Sequence, residues 1–335
     1  WSWRKSPKFF DVLTWTGNNT NNRQILHSLG SRPGMVVVKN ISEAADWYVW
    51  HRSLAPSGGS AANLRLNTND AVQYSDYYVE DSTSSEYIQL GLAGGLNENN
   101  KQYVAYLFAH DAGGFGDDGE QNVISCGSVV GASQQEVYLG FEPQWILLKN
   151  ADSAQDWWMV DNMRGWPVQG TDTSYSAKRL NANLSSAEST LSIAPSATGF
   201  KANTMTAGQT YIYIAIRRPM KAPEAGTEVF TTSTSGPGVS ITAGFVPDFS
   251  ISQQRNNGAG SGSPPYAGTR LQGNSKQLNM TSTAVEGGFG YAWDAPTNTW
   301  VQSSIGTTLA NQLFKRAPGF MDVVCDTGTG SNKTE

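Results

Sequence analysis

The segment "GGFGDDG" at residues 113–119 comes closest, in residue types and spacing, to a known site chemistry. It contains the spacing G-x-G-x-x-G, which binds dinucleotides when a strand precedes it and a helix follows. No helical pattern follows here, and Asp117 and Asp118 would repel a pyrophosphate. The same segment matches one calcium-binding nonapeptide, for which Asp111, Asp117, Asp118 and Glu120 offer oxygen ligands. Because the motif occurs only once, an acidic linker between two units is the alternative.

Three histidines, His27, His51 and His110, are the remaining candidates for acid–base or metal chemistry. Neither an H-x-x-x-H nor a C-x-x-C spacing accompanies them, so they are predicted to be solvated loop residues. No G-x-S-x-G elbow occurs either, because Ala259 stands where a glycine is required before Ser261. The carboxylates are too numerous for the sequence to select a pair for glycoside hydrolysis. We therefore predict no enzyme activity, no catalytic residue and no cofactor.

Aromatic residues at recurring positions are the better candidates for binding. The segment "DWYV" returns later in the chain as "DWWM", which places Trp47 and Tyr48 at the positions of Trp157 and Trp158. Successive side chains on a strand point to opposite faces. The first residue of each pair is therefore predicted to be buried and the second to lie on the outer face. There, Tyr48 and Trp158 would pack against a neighbouring chain, pack within their own domain or stack on a sugar ring.

Longer stretches recur in the same order and divide the chain into units. "LGSRPGMVVVKN" from Leu29 returns as "LGFEPQWILLKN" from Leu139 and, more weakly, as "AGFVPDFSISQQ" from Ala243. "PKFFDVLTWTG" from Pro7 returns as "PGFMDVVCDTG" from Pro318, so the chain is expected to be a piece of a longer protein. The predicted ranges are 1–8 for the end of a preceding repeat, 9–111 for repeat 1, 112–218 for repeat 2, 219–317 for a divergent repeat 3 and 318–335 for the start of a following repeat.

Composition and periodicity predict an all-β chain. Charged residues make up only 15% of the sequence, and Gly, Ser, Thr and Asn are abundant, which is typical of turn-rich β proteins. Short runs such as "MVVVKN", "DWYVWHRS" and "QYVAYLFA" are rich in β-branched and aromatic residues. Helical periodicity is nearly absent, and the best short candidate for a helix is residues 68–78. We predict tandem antiparallel β-sandwich repeats of about 105 residues, jelly-roll or lectin-like, each with its own core and well separated along a rod.

Charge, hydropathy and cysteine content argue against nucleic-acid binding, membrane insertion and an intrachain disulfide. A net charge of −5 argues against nucleic acid, since binding to phosphates rests mainly on Lys and Arg. No apolar run approaches the roughly 20 residues of a membrane helix, so no membrane insertion is predicted. Cys126 and Cys325 occupy nearly equivalent positions in two repeats. A disulfide between them is not expected, because it requires Cα atoms within about 7 Å.

The order of the motifs resembles a module repeated in phage tail-fibre and virion structural proteins, notably of phages of marine bacteria. The shared features are "TG" after the first strand, "LGxxPxxxxxK" in the second, "DW" in the third, a later "LxLN" and a closing "YVAYLFA". The third unit lacks the Asp-Trp pair and inserts "NNGAGSGSPPYAG" at residues 256–268. The resemblance implies a virion fibre, assembled in the bacterial host cytoplasm, that is a homotrimer bound to other virion tail proteins.

These observations predict a structural component of a phage virion, a tail fibre that acts as a spacer and recognises a host receptor. Tyr266 and Arg270, at the end of the insertion, are the best side chains there for contacting a host-surface polysaccharide. The other interpretation of the insertion is a tolerated loop without a ligand. A bacterial surface or secreted carbohydrate-binding repeat protein is the alternative function.

Overall fold

A computed structural model describes the chain at residues 2–57, 60–75, 77–91, 95–116, 118–164, 166, 177–219, 222–235, 240–255, 264–272, 276–284, 287–288, 291–293, 299–302 and 309–323. Regular structure in these residues is β, apart from three short 3-10 turns at Asn162–Arg164, Gly226–Glu228 and Arg270–Gln272. The prediction of an all-β, antiparallel sandwich protein is confirmed.

The strands fall into three consecutive groups. The first group is β1 Phe10–Thr16, β2 Gln24–Leu26, β3 Met35–Asn40, β4 Trp47–His51, β5 Ala61–Arg65, β6 Gln73–Ser75, β7 Tyr78–Thr83, β8 Tyr87–Leu90 and β9 Gln102–Phe108. The second group is β10 Ile124–Val130, β11 Gln135–Tyr138, β12 Pro143–Asn150, β13 Trp158–Asp161, β14 Ala177–Asn181, β15 Ser189–Leu191, β16 Ile193–Ser196, β17 Gly199–Ala202 and β18 Thr210–Arg217. The third group is β19 Phe230–Ser235, β20 Ser240–Thr242, β21 Phe249–Gln254, β22 Tyr266–Thr269, β23 Lys276–Asn279, β24 Gly287–Gly288, β25 Tyr291–Ala292, β26 Thr299–Gln302 and β27 Leu309–Phe314.

Each group builds a six-stranded sheet with the same strand order. The orders are β1-β9-β3-β4-β5-β6, β10-β18-β12-β13-β14-β15 and β19-β27-β21-β22-β23-β24, which we call the first, second and third sheets. Small three-stranded sheets, β2-β8-β7 and β20-β26-β25, belong to the first and third groups, and β16 and β17 form a hairpin in the second. The strands of the first group thus return twice in the same arrangement.

The segment at residues 68–78, which is the best short candidate for a helix in a sequence nearly free of helical periodicity, holds β6 and the start of β7. Its β6 pairs with β5 of the first sheet, and the residues before β6 bond to the turn that follows β12. The Val72 amide donates to the Ala151 carbonyl at 2.7 Å, and the Gln155 amide donates to the Asn69 carbonyl at 2.8 Å. Partners far along the chain therefore override the local helical pattern.

The chain divides into two compact units, of which the first contains β1–β13 and β18 and the second contains β16, β17 and β19–β27. In the first unit, the first sheet is buried on both faces. Val36 and Val38 lie on its inner face, in one apolar cluster with Ile25 and Ile88 of the small sheet. Met35 and Val37 point the other way, and they are buried too. We call this second side, and the corresponding side of the other large sheets, the outer face.

The outer faces of the first and second sheets pack against each other. Trp145 and Leu147 of β12 belong to the same apolar cluster as Met35 of β3. The Trp3 ring joins the two sheets, with its centroid 5.5 Å from that of Phe108 and 5.3 Å from that of Trp145. Each large apolar side chain buried in this way contributes about 1.5–3 kcal/mol to folding. The expectation that the first two repeats are well separated is therefore wrong, since they share a buried apolar contact.

In the second unit, the third sheet packs on the small sheet β20-β26-β25. The apolar cluster of this sandwich consists of Ile241, Ala243, Phe245, Trp293 and Leu313.

Candidate binding cavity

The first sandwich carries a polar cavity of about 640 Å³ beside the turn that joins β3 to β4. The turn contributes acidic and small residues, β4 contributes Tyr48, and the segments before β7 and β9 contribute the opposite wall. The lining residues are Asn40, Glu43, Ala44, Ala45, Asp46, Tyr48, Tyr77, Gly95 and Glu98. All of them belong to the first unit.

Two tyrosines form the aromatic wall of this cavity. The ring centroids of Tyr48 and Tyr77 lie 4.9 Å apart with the rings nearly perpendicular, and the Arg65 guanidinium lies 5.9 Å from the Tyr48 ring centroid. Gly95 permits this arrangement, because it has a φ of +70° and a Cβ there would lie 2.4 Å from the Tyr77 ring. The position of Tyr77 therefore depends on a glycine.

Ion pairs hold most of the carboxylates at the rim. Glu43 pairs with Lys101, and Asp46 pairs with Arg65, whose Nε lies 3.1 Å from Oδ2. The Asn67 side chain donates to the other Asp46 oxygen at 2.8 Å, and the Trp47 amide donates to the Asn67 side-chain oxygen at 2.8 Å. The cavity rim is thus positioned by charged partners that also neutralise two of its carboxylates.

The chemistry available in the cavity is hydrogen bonding and ring contact. Burial, followed by the hydrogen bond with Tyr77, raises the pKa of Tyr48 to about 12. Its hydroxyl therefore stays protonated at neutral pH and can both donate and accept hydrogen bonds, but it is not a general base there. A flat ring beside amide and carboxylate oxygens suits a ligand rich in hydroxyl groups.

The prediction that Tyr48 and Trp158 lie on the outer face is wrong. Tyr48 pairs across the sheet with the inner-face residue Val38, and it is half-buried. Trp158 is only 6% exposed, with the Arg179 guanidinium 5.1 Å from its ring centroid. The physical reason is that both faces of the first two large sheets are covered, so alternation on the strand does not expose the second aromatic.

The prediction that Arg270 contacts a ligand is wrong. Its side chain is buried and donates to Asp248 Oδ1 from Nε at 2.9 Å and from Nη2 at 2.8 Å. Asp248 also accepts the Arg316 amide at 2.8 Å. A buried carboxylate needs such partners, so the guanidinium is committed to the core of the second unit. Tyr266 is half-buried on β22, opposite Ser252 and Asn279.

Two of the predicted loop sites lie partly outside the described residues. Residues 256–263 of the inserted loop and Asp117 of the acidic segment are among these. Asp118 accepts the Glu120 amide at 3.0 Å, and Asp111 accepts the Ser125 hydroxyl at 3.2 Å. Within the described part of the chain, no group of three or more His, Cys, Asp or Glu side chains could hold a metal ion.

The prediction of solvated histidines is wrong for His51, which is fully buried. Nδ1 accepts the Ser53 amide at 3.2 Å, so Nε2–H donates to the Tyr213 carbonyl of the second sheet at 3.1 Å. Burial, with smaller contributions from Arg52 and His110, lowers the pKa of His51 to about 3. Burial also lowers the pKa of half-buried His27 and His110. His51 therefore acts as a neutral link between two sheets.

Cys126 carries a free, fully buried thiol that donates to the Ala109 carbonyl at 3.4 Å. Burial raises the pKa of this thiol, so the group is not a nucleophile. Cys325 lies outside the described residues.

Sequence reasoning missed the residues that complete the cavity, namely Glu43, Tyr77 and Glu98. Tyr77 lies in the segment that is the best short candidate for a helix, and Glu98 is far along the chain from Tyr48. A turn signal at Glu43 was available, because the Asn40 side chain accepts the Ser42 amide at 2.8 Å as asparagine often does in turns. The fold alone brings these segments together.

The fold and the cavity define the class of this chain, an all-β sandwich protein with a polar, tyrosine-walled surface cavity. Among known families, a domain of unknown function (DUF7483) matches residues 6–219, and the chain belongs to this family. The matched range includes both large sheets whose outer faces pack together. No curated protein matches the chain. No helix in the described ranges is sufficiently long and apolar to cross a membrane.

Proposed function

We propose that this chain is a non-enzymatic structural component of a phage virion, a tail-fibre segment that spaces and presents a receptor-binding cavity. The cavity walled by Tyr48 and Tyr77 is the observation on which the binding role rests. The virion location rests on the resemblance of the repeated motifs. Other virion tail proteins, and two further copies of the chain in a homotrimer, are the partners that the same resemblance implies.

A host-surface polysaccharide is the receptor class that suits this cavity. The tyrosine rings offer apolar surface to the C–H face of a sugar, and Asn40 and the carboxylates accept hydrogen bonds from its hydroxyl groups. Lys101 and Arg65 already pair with two of the three lining carboxylates. A polycation would have to compete with these ion pairs, so a neutral glycan is the better ligand.

The alternative, a bacterial surface or secreted carbohydrate-binding array, uses the same cavity in another location. Mass spectrometry of purified virus particles and of bacterial surface fractions from the same sample distinguishes the two. We expect peptides of this chain in the particle fraction. Their presence only in the bacterial surface fraction would replace the virion role with the array.

Binding is tested on a printed array of bacterial surface polysaccharides with the 335-residue chain. We expect Tyr48→Ala to weaken binding about tenfold, the effect of losing roughly 1.4 kcal/mol of ring contact. Glu43→Gln should weaken it less, because only one acceptor changes. Tyr138→Ala is the matched control, since Tyr138 is 76% exposed and does not line the cavity. Equal binding by the wild type and Tyr48→Ala would contradict the receptor role.

A further inference from the structure

The three large sheets carry an equivalent apolar trio on their outer faces. In each sheet, a residue of the first strand and a residue of the third strand lie opposite the same residue of the last strand. Residues directly opposite each other on neighbouring strands share a face. The trios are Phe10, Met35 and Phe108; Ile124, Trp145 and Ile216; and Phe230, Phe249 and Phe314.

The first two trios are buried, and the third is not. The six residues of the first two are all at most 6% exposed, at the contact between the first and second sheets. In the third trio, Phe230 is 37% exposed, and Phe249 and Phe314 are half-buried. The Phe314 ring centroid lies 4.9 Å from that of Phe230 and 5.6 Å from that of Phe249. The third sheet therefore presents a contiguous aromatic patch to solvent.

The third sheet also reverses the usual distribution of polar side chains. On β21, Ser250 and Ser252 are buried on the inner face, whereas Phe249 and Ile251 lie on the outer face. The hydroxyl groups of Ser250 and Ser252 are buried and find no hydrogen-bond partner among the described residues. The apolar side chains of this strand are thus on the side that the sandwich itself does not cover.

An apolar groove of about 410 Å³ extends the patch across the same face. Phe249, Ala267 and Leu278 line it from β21, β22 and β23, and Met321 and Val323 line it from the segment after β27. Leu278 is 45% exposed. Contiguous apolar patches that are exposed on the surface of a soluble protein often mark interaction sites.

We propose that the outer face of the third sheet is a self-association surface, covered by the same face of another copy of this chain. The first unit contains the precedent, since the equivalent outer faces of the first and second sheets pack together and bury the equivalent trios. The third face has the same strand order, the same register and an all-aromatic trio. Two copies are sufficient to cover the face. Three copies would cover it if their faces converge on the axis of the homotrimer that is proposed above. The surface uses none of the cavity residues, so it stands apart from the proposed receptor binding.

The mass of the 335-residue chain in solution tests this inference by sedimentation equilibrium. We expect the wild type to have the mass of two or three chains of 36.1 kDa. Leu278→Asp should reduce it to one chain, because a carboxylate on this face would be desolvated on association. Leu26→Asp is the matched control, since Leu26 is 74% exposed on a strand of the first small sheet, and it should leave the association intact.

Phe230→Asp provides a second test within the trio, and far-ultraviolet circular dichroism checks that each variant keeps its β content. A loss of association in both face variants, with its retention in Leu26→Asp, supports the inference. A single-chain mass for the wild type at its highest soluble concentration overturns it. Association that persists unchanged in Leu278→Asp and Phe230→Asp overturns it as well.

Discussion

Acid should weaken the first unit through His51, the histidine that links the first and second sheets. The unfolded chain has an ordinary imidazole with a pKa of 6.5, whereas burial lowers the pKa in the folded chain to about 3. Below pH 6.5, the unfolded state therefore binds a proton that the folded state does not. The stabilising effect of the neutral ring is fully present above pH 6.5, and it is lost as the pH falls toward 3.

The size of the effect follows from the two pKa values. Each pH unit between them costs about 1.4 kcal/mol, so at pH 4.5 the free energy of unfolding should be about 2.7 kcal/mol lower than at pH 7.5 through His51 alone. This is a large fraction of the total stability of an ordinary domain, which is roughly 5–15 kcal/mol. The geometry agrees with the direction, because Nδ1 already accepts a hydrogen bond from the Ser53 amide and protonation would break it.

The assay is urea unfolding of the wild type and of His51→Gln at both pH values. We expect the glutamine variant to be less stable at pH 7.5, since it repacks a fully buried site, but to lose about 2.7 kcal/mol less on acidification. Contributions of other titrating groups cancel in this difference. His27→Gln is the control, because His27 is only half-buried and should change the pH dependence less. Equal losses in the wild type and His51→Gln would refute the reasoning.

Three further substitutions test other contacts by their effect on urea unfolding. Arg270→Ala should destabilise the second unit by about 3–5 kcal/mol, because it leaves the buried Asp248 carboxylate without its ion-pair partner; adding Asp248→Ala should restore part of the loss. Gly95→Ala should cost about 1–2 kcal/mol from its positive φ alone, and the displaced Tyr77 ring should abolish polysaccharide binding. Trp157→Phe should cost about 1–3 kcal/mol, since its indole donates at 2.9 Å to a main-chain carbonyl of the first sheet.

The sequence alone predicted the strands well where they are apolar and short. "MVVVKN" corresponds to β3 without a shift, and "QYVAYLFA" extends β9 by only one residue. The recurring order of these segments corresponds to the recurring strand order of the large sheets. Local pattern suffices here because β-branched and aromatic residues pack well on a pleated surface, and Gly, Asn and Pro separate the runs.

The faces of the strands were harder to predict, although one signal was present. "MVVV" and "WILL" are continuous apolar runs, and continuous runs are typical of sheets that are covered on both sides. The prediction that Trp158 points outward assumes that one face of its sheet is exposed to solvent. Arg270 shows a different limit, because its partner Asp248 lies 22 residues earlier, just before β21, and only the fold brings the two together. The cavity residues illustrate the same limit.

The packing of two outer faces also explains why buried ionisable groups occur here. The Lys149 side chain is fully buried, yet its ammonium donates to the carbonyls of Asn69, Asn150 and Ser153 at 3.3, 2.6 and 3.4 Å. Burial lowers its pKa to about 8, as it would for a catalytic lysine, but its partners belong to the turns of the two packed sheets.

Cys126 supports the same interpretation, because burial raises the pKa of its thiol as it lowers the pKa of the Lys149 ammonium. A Cβ on Gly34, just before β3, would lie 2.7 Å from the Cβ of Cys126, so Cys126 packs directly against the backbone of the first sheet's group. His51, Lys149 and Cys126 are therefore perturbed because two large sheets meet where they lie. These three groups mark the contact between the two sheets, whereas ligand binding is better sought at the open cavity, where polar groups lie beside the half-buried Tyr48.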